Sequence, residues 1–287
     1  MNNFNCTSKK VFLLAFLFLL VITNIQSKTT QDSTNLQISI SKQSPTVISL
    51  SPYVTENLFN LGYERNILAV TSFCNRPEKA KFKQKIGGII DPNTEAILAL
   101  SPDIVFATKE DQSLEQVRRM RNIGINVFVL QEVKSFQDIC QNFLLVASVI
   151  RKEEMAKIEL KNIQSKLAKI KSRNISRKSR KIFFVVETEP LITVSRQSFL
   201  NDMLSFVNAE NVVVETSPRY PFFSKEKLVL MKPDLVIFIA KKDRNKSQFL
   251  ADLGLKAKAV FVEPDVFSRG NPSAFLEAVE RLDKILR

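Results

Sequence analysis

A chain of 287 residues exceeds the usual span of one hydrophobic core and divides naturally into two domains. With 45% hydrophobic and 25% charged residues it has the make-up of an ordinary globular protein, which excludes a largely disordered chain. The net charge of +13 brings no nucleic-acid motif, and the lysines gather at 151–181 on one helical pattern with no aromatics between them, so no nucleic-acid partner is expected.

In chain order, Lys9 and Lys10 precede an apolar run from Val11 to Ile22 and then polar Thr23, Asn24, Gln26 and Ser27. That is the order of a secretory signal, and its run is shorter than the roughly 20 residues that span a bilayer. Residues 1–27 are therefore expected to be a cleaved signal peptide. Cys6 lies before the run, so it is not placed to carry a lipid anchor. Removing two lysines and no acids leaves +11 from +13. Residues 28–44 are expected to be a flexible N-terminal segment.

From there, short β-branched runs alternate with helix-period stretches, the mark of βα units and mostly parallel sheets. Residues 45–150 read as a first α/β lobe, with strands near 47–50, 67–71, 104–107 and 127–130 and helices near 54–61, 94–100 and 113–123. Residues 135–173 hold no proline or glycine and carry Phe136, Ile139, Phe143, Val146, Ile150, Met155, Ile158, Ile163, Leu167 and Ile170 at helical spacing, as one helix or two in succession. The stretch 151–178 is expected to be a stiff connecting helix. Residues 179–287 read as a second α/β lobe, with strands near 182–186, 212–214, 235–239 and 260–262 and helices near 199–207, 225–231 and 272–286. The fold class is thus α/β, two Rossmann-like lobes joined by a long rigid helix with a ligand cleft between them.

An internal repeat links the lobes. Asn93, Thr94, Glu95 and the later Pro102, Asp103, Ile104 answer Ser224, Lys225, Glu226 and Pro233, Asp234, Leu235 at a constant offset of 131. Each copy has a capping residue, a first-turn glutamate, one short helix, a Pro-Asp turn and a strand. The glutamates either offset their helix dipoles or form a paired surface feature.

Several chemistries are missing. No histidine occurs, which excludes Ser-His-Asp and Cys-His catalysis and histidine-ligated zinc or haem. Six glycines form neither G-x-G-x-x-G nor G-x-x-x-x-G-K, so no phosphate-cradling loop is present. No catalytic residue, resident metal or cofactor is expected, and the chain reads as a binder, not an enzyme. Cys74 and Cys140 could pair in an oxidising compartment or remain buried free thiols.

The sequence resembles the helical-backbone class (class III) of periplasmic binding proteins, which serve ABC importers of cobalamin, haem and ferric siderophores. The resemblance runs from Thr46 to Leu286 and rests on Ile48-Ser49-Leu50-Ser51-Pro52 with Thr55-Glu56, on Thr71 to Pro77, on Ile86-Gly87-Gly88 leading to Glu95, on Ser195 to Leu204, on Tyr220-Pro221 leading to Glu226, and on Asp265 to Pro272. It implies that Glu95 and Glu226 sit at the tips of the lobes and dock onto arginines of a permease dimer in the inner membrane. The cobalamin branch is the nearest, through Phe73, through Tyr220-Pro221 with Phe222, and through Asp265 and Arg269 as ligand-binding residues. Tryptophans common in cobalamin sites are absent, and Thr108 falls where one is expected.

The expectation is a monomeric periplasmic solute-binding protein that takes a small molecule, a corrinoid such as cobalamin. A ferric siderophore or other iron chelate is the alternative, with Arg76, Arg196, Arg219 and Arg269 available to face an anion. A secreted carboxylate hydrolase and a ligand-free adaptor come further behind.

Overall fold

The computed structural model describes residues 28–242 and 244–287; the expected signal segment, residues 1–27, lies outside the described residues. The first lobe is built on β3 (Val47–Ser49), β4 (Ile67–Val70), β5 (Gln84–Lys85), β6 (Ile104–Thr108) and β7 (Val127–Leu130), which pair in parallel in the order β5-β4-β3-β6-β7. Every residue of β3, β6 and β7 is buried, as strands covered by helices on both faces require. The helices are α1 (Pro52–Asn60), α2 (Thr94–Leu100), α3 (Leu114–Asn122) and α4 (Phe136–Val149).

The second lobe orders β11 (Ala209–Asn211), β8 (Arg180–Val185), β12 (Leu235–Ile239) and β13 (Lys258–Val262) in a parallel sheet, beside a small hairpin of β9 (Glu187–Thr188) and β10 (Leu191–Ile192). Its helices are α6 (Phe199–Phe206), α7 (Lys225–Met231), α8 (Arg244–Asp252), α9 (Pro264–Phe267) and α10 (Pro272–Ile285). The edge strand expected at 212–214 lies earlier, at 209–211. There the Asn211 side chain accepts from Val213 N at 3.1 Å and donates to the Val194 carbonyl at 2.8 Å, drawing the chain out of the ladder.

Between the lobes the long helical stretch is two helices, α4 and α5 (Glu153–Asn174). Arg151 breaks them with a left-handed φ of 57°, and Lys152 N closes back on the Ala147 carbonyl at 2.8 Å. Helix α5 is 22 residues, about 33 Å at 1.5 Å per residue. It buries Ala156, Leu160, Ile163, Leu167 and Ile170 in one stripe. One hydrophobic core runs through this spine, from Phe106 and Phe128 of the first sheet to Phe184 and Ile237 of the second. At the junction Phe136 of α4 stacks on Phe275 of α10 with centroids 4.3 Å apart, and Phe206 of α6 meets both edge-on. Asp283 pins α10 to the end of α5. Burial alone would raise its carboxyl, but hydrogen bonds from Asn174, Arg287 and Arg173 outweigh that and hold it below the usual carboxylate range.

The segment 28–44 is not a flexible lead-in. It holds an antiparallel hairpin of β1 (Lys28–Gln31) and β2 (Gln37–Ile40), clamped by the buried carboxylate of Asp32. Asp32 accepts from Thr34 N at 2.8 Å, from Leu36 N at 3.1 Å and from Val129 N of β7 at 3.1 Å, and it pairs with Arg121. A buried charge so fully hydrogen-bonded fixes the hairpin to the first lobe.

The constant offset of the repeat holds for the elements as well as for the sequence. Helix α2 and strand β6 map onto α7 and β12 with every boundary shifted by 131, from 94 to 225 and from 108 to 239. Asn93 and Ser224 cap the helices by accepting from the residue three positions on. Ser101 and Lys232 end them with the same left-handed φ of 47°. Asp103 and Asp234 then accept from Thr46 N and Lys181 N, both at 2.7 Å, which ties each Pro-Asp turn to the neighbouring strand.

Candidate functional site

In a parallel α/β sheet the loops at the carboxyl ends of the strands are free to form a crevice. Both lobes use them. Ser51, Phe73, Glu110 and Val133 follow β3, β4, β6 and β7, and Asp265, Ser268 and Arg269 follow β13; all of them line one hollow of 430 Å³ between the lobes, with Arg219 and Tyr220 from the loop before α7. Two further hollows share its walls, one of 570 Å³ past Arg76 and one of 420 Å³ past Ile89, so that the three form a continuous cleft.

Four of the six expected ligand residues meet there. Phe73 of the first lobe is 61% exposed and Tyr220 of the second 40% exposed, large aromatic faces turned into a concave surface. Asp265 and Arg269 also line the cleft, although not as a local pair. Asp265 pairs with Arg76 of the first lobe at 3.2 Å. Arg269 reaches Glu56 of α1 at 2.7 Å and Glu277 of α10 at 2.9 Å.

Thr108 and Phe222 do not line the cleft. Thr108 is fully buried; its hydroxyl donates to Asp111 at 2.9 Å and its N–H to Gln112 at 2.9 Å, so it shapes the turn that presents Glu110 and Asp111. Phe222 is 75% exposed and outside the cleft wall. Residues 219–223 are bonded backbone to backbone with 191–195, where Phe222 bridges Ile192. Of the four arginines considered, Arg76, Arg219 and Arg269 line the cleft and Arg196 does not. Glu95 and Glu226 are exposed on matched helices, with no ion pair among the described residues.

The sequence reading missed the carboxylates facing these arginines. Arg219 crosses the cleft to Glu110 at 3.5 Å and to Glu132, both from the first lobe. Burial pushes the Glu110 carboxyl up from 4.5 to about 7, against the hydrogen bond from Val133 N and the charge of Arg219. Burial likewise raises Glu56, opposed by Arg269 and Asn271. Because folding raises the Glu110 pKa, the folded protein favours its neutral form; that contribution is full below about 4.5 and lost as pH rises through about 7. Glu110→Gln should therefore raise the thermal midpoint above pH 7 and leave it unchanged near pH 4. A pH-independent difference would contradict this environment.

Cys74 and Cys140 are both free and buried, and burial pushes the Cys140 thiol up to about 11. Among the described residues no cluster of His, Cys, Asp and Glu could hold a metal ion, and no helix is long and apolar enough to cross a membrane.

Comparison with known proteins agrees with this geometry. A vitamin B12-binding protein of Pectobacterium carotovorum is 26% identical over 235 residues, 81% of this chain and 85% of that one. An uncharacterised ABC transporter substrate-binding lipoprotein of Bacillus subtilis is 26% identical over 271 residues, 91% of this chain and 85% of that one. Among solved structures, the periplasmic vitamin B12 binding protein of Vibrio cholerae superposes with a TM-score of 0.71 at 20% identity, covering 84% of this chain and 96% of that one. A periplasmic heme binding protein of the same organism gives 0.74 at 19% identity, covering 85% and 99%. These likenesses establish the two-lobed fold. Residues 47–260 match the periplasmic binding protein family, and with its two parallel lobes, helical spine and intervening cleft the chain belongs to that family, of the type that serves ABC importers.

Proposed function

We propose that this chain is the exported solute-binding component of an ABC importer, that it binds a corrinoid such as cobalamin in the cleft, and that it does no chemistry on its ligand. The observation that carries the reading is that Phe73 and Tyr220, 147 residues apart by 220 minus 73, line one hollow from opposite lobes. Two opposed aromatic faces suit a broad ring with apolar surface, and the charged side chains around them suit its polar periphery. Relatives named as vitamin B12-binding proteins support the same choice. A haem would need an axial ligand, and without histidine Tyr220 is the exposed phenol that the cleft offers. That makes haem the competing ligand.

Delivery would use Glu95 and Glu226, whose exposure on equivalent helices of the two lobes supports docking to a two-fold, arginine-bearing permease in the inner membrane. The spine of α4 and α5, packed into a core shared by both lobes, would keep those tips at a nearly constant separation. The protein would act in the periplasm as a monomer after cleavage near Lys28.

Mass spectrometry of small molecules released from the folded protein, purified from cells supplied with cobalamin, tests the reading. A corrinoid at one per chain is expected, on a polypeptide beginning at or near Lys28. Haem or a ferric siderophore in its place would overturn the corrinoid assignment and leave the importer assignment standing. Soluble protein retaining Met1 would contradict export.

A further inference from the structure

The three hollows of the cleft lie in a fixed order. The middle one shares Phe73, Ile89, Glu110 and Asp111 with the hollow on one side, and Glu56, Asn75, Arg76, Asp265 and Arg269 with the hollow on the other. The two ends differ in chemistry. One adds Gly88, Ile90 and Asp91, with Ile90 itself 73% exposed; the other adds Asn60, Glu78, Lys81 and Ser273 and has Pro77 as its one apolar residue. The cleft is thus apolar at one end and ionic at the other.

Where the middle hollow meets the ionic end, a polar group lacks a partner. Arg269 Nε is buried with no hydrogen-bond partner, although the terminal nitrogens of Arg269 are engaged by Glu56 and Glu277. Buried donors of this kind favour a ligand that supplies acceptors. Further out, Arg76 pairs with Asp265 at 3.2 Å and Lys81 with Glu78 at 2.9 Å, all four side chains well exposed. Exposed pairs are held weakly in water, so both cations can exchange a carboxylate for a ligand oxyanion.

We infer that the ionic end is a subsite for a phosphate-bearing polar arm of the ligand, which fixes one orientation in the cleft. The inference rests on the corrinoid reading above. A complete corrinoid has one such arm, a nucleotide loop carrying a phosphodiester and a ribose. A corrinoid without that arm would leave Arg76 and Lys81 with their own carboxylates and Arg269 Nε without an acceptor.

Calorimetric titration of the wild-type protein and Lys81→Glu with cobalamin, which carries the arm, and with cobinamide, which lacks it, tests the subsite. Wild type should bind cobalamin at least about tenfold more tightly than cobinamide. Lys81→Glu should weaken cobalamin by about tenfold and leave cobinamide within about twofold. Lys81→Gln gives the same comparison should the reversed charge disturb folding. Equal wild-type affinities, or equal weakening of both ligands, overturns the subsite alone. Absence of binding by either ligand to wild type overturns the corrinoid reading and the subsite with it.

Discussion

Reversing Glu95 and Glu226 together to lysine should abolish ligand transport while leaving the affinity of the cleft unchanged. Both side chains are exposed in the first turn of seven-residue helices whose caps, ends and following strands coincide under the 131-residue offset. Neither lines the cleft. If the two glutamates dock onto arginines as proposed, lysine there would set like charges together, which at an interface costs several kcal/mol. A tenfold loss accompanies every 1.4 kcal/mol, so the complex should fall below detection. Losing the dipole complement is a smaller effect, about 0.3–1 kcal/mol per helix, and should show only as a modest drop in stability. Transport in vesicles holding the permease, alongside calorimetry on the isolated protein, separates the two roles. Unimpaired transport, or loss of ligand affinity with the fold intact, would contradict docking through these residues.

Arg269→Met should lower the stability of the folded chain by about 3–5 kcal/mol, because it leaves the Glu56 carboxylate buried without its counter-charge. Glu56 has a 9% exposed side chain and keeps only Asn271 Nδ2 at 3.0 Å once the guanidinium is gone. Its pKa, already raised by burial, should rise further when the opposing charge of Arg269 is removed. The folded state would then favour neutral Glu56, so the loss should be smaller at pH 5 than at pH 8. Adding Glu56→Gln to Arg269→Met should recover most of the stability, since removing both partners of a buried pair costs far less than removing one. Denaturant unfolding of the single and double variants at the two pH values makes the comparison; equal losses in both variants would show that the pair does not hold α1 to the second lobe.

Elements and contacts differed in how readily the sequence disclosed them. The repeat was legible because cap, first-turn glutamate, left-handed exit and Pro-Asp turn are local signals that recur within a few residues. The buried central strands of both sheets were legible as apolar runs bounded by turns, while the exposed two-residue edge strand β5 was not, and β11 lies three residues before its expected place. The N-terminal hairpin was not, because Asp32 finds Val129 and Arg121 at sequence separations of 97 and 89, which no local pattern encodes. The charged lining failed for the same reason: Glu56 and Arg269 are 213 residues apart. Helix α8 was passed over because its sequence, Arg244 to Asp252, is mostly polar and shows a weak apolar stripe. The resemblance nominated Phe73, Tyr220, Asp265 and Arg269, which line the cleft, and also Phe222 and Thr108, which do not. Position in a motif does not fix which way a side chain faces. That depended on the path of 219–223 along the small hairpin and on the turn held by Thr108, Asp111 and Gln112.

The central claim is that two aromatic faces from opposite lobes hold one flat ligand. It is tested most directly by titrating the wild-type chain and Tyr220→Ala with cobalamin in a calorimeter. The account predicts one site per chain in wild type and an affinity at least about tenfold lower in the variant, as for loss of an aromatic anchor worth about 1.4 kcal/mol or more. Undiminished affinity in Tyr220→Ala, or no heat with cobalamin at any temperature together with tight binding of a ferric siderophore, would contradict it.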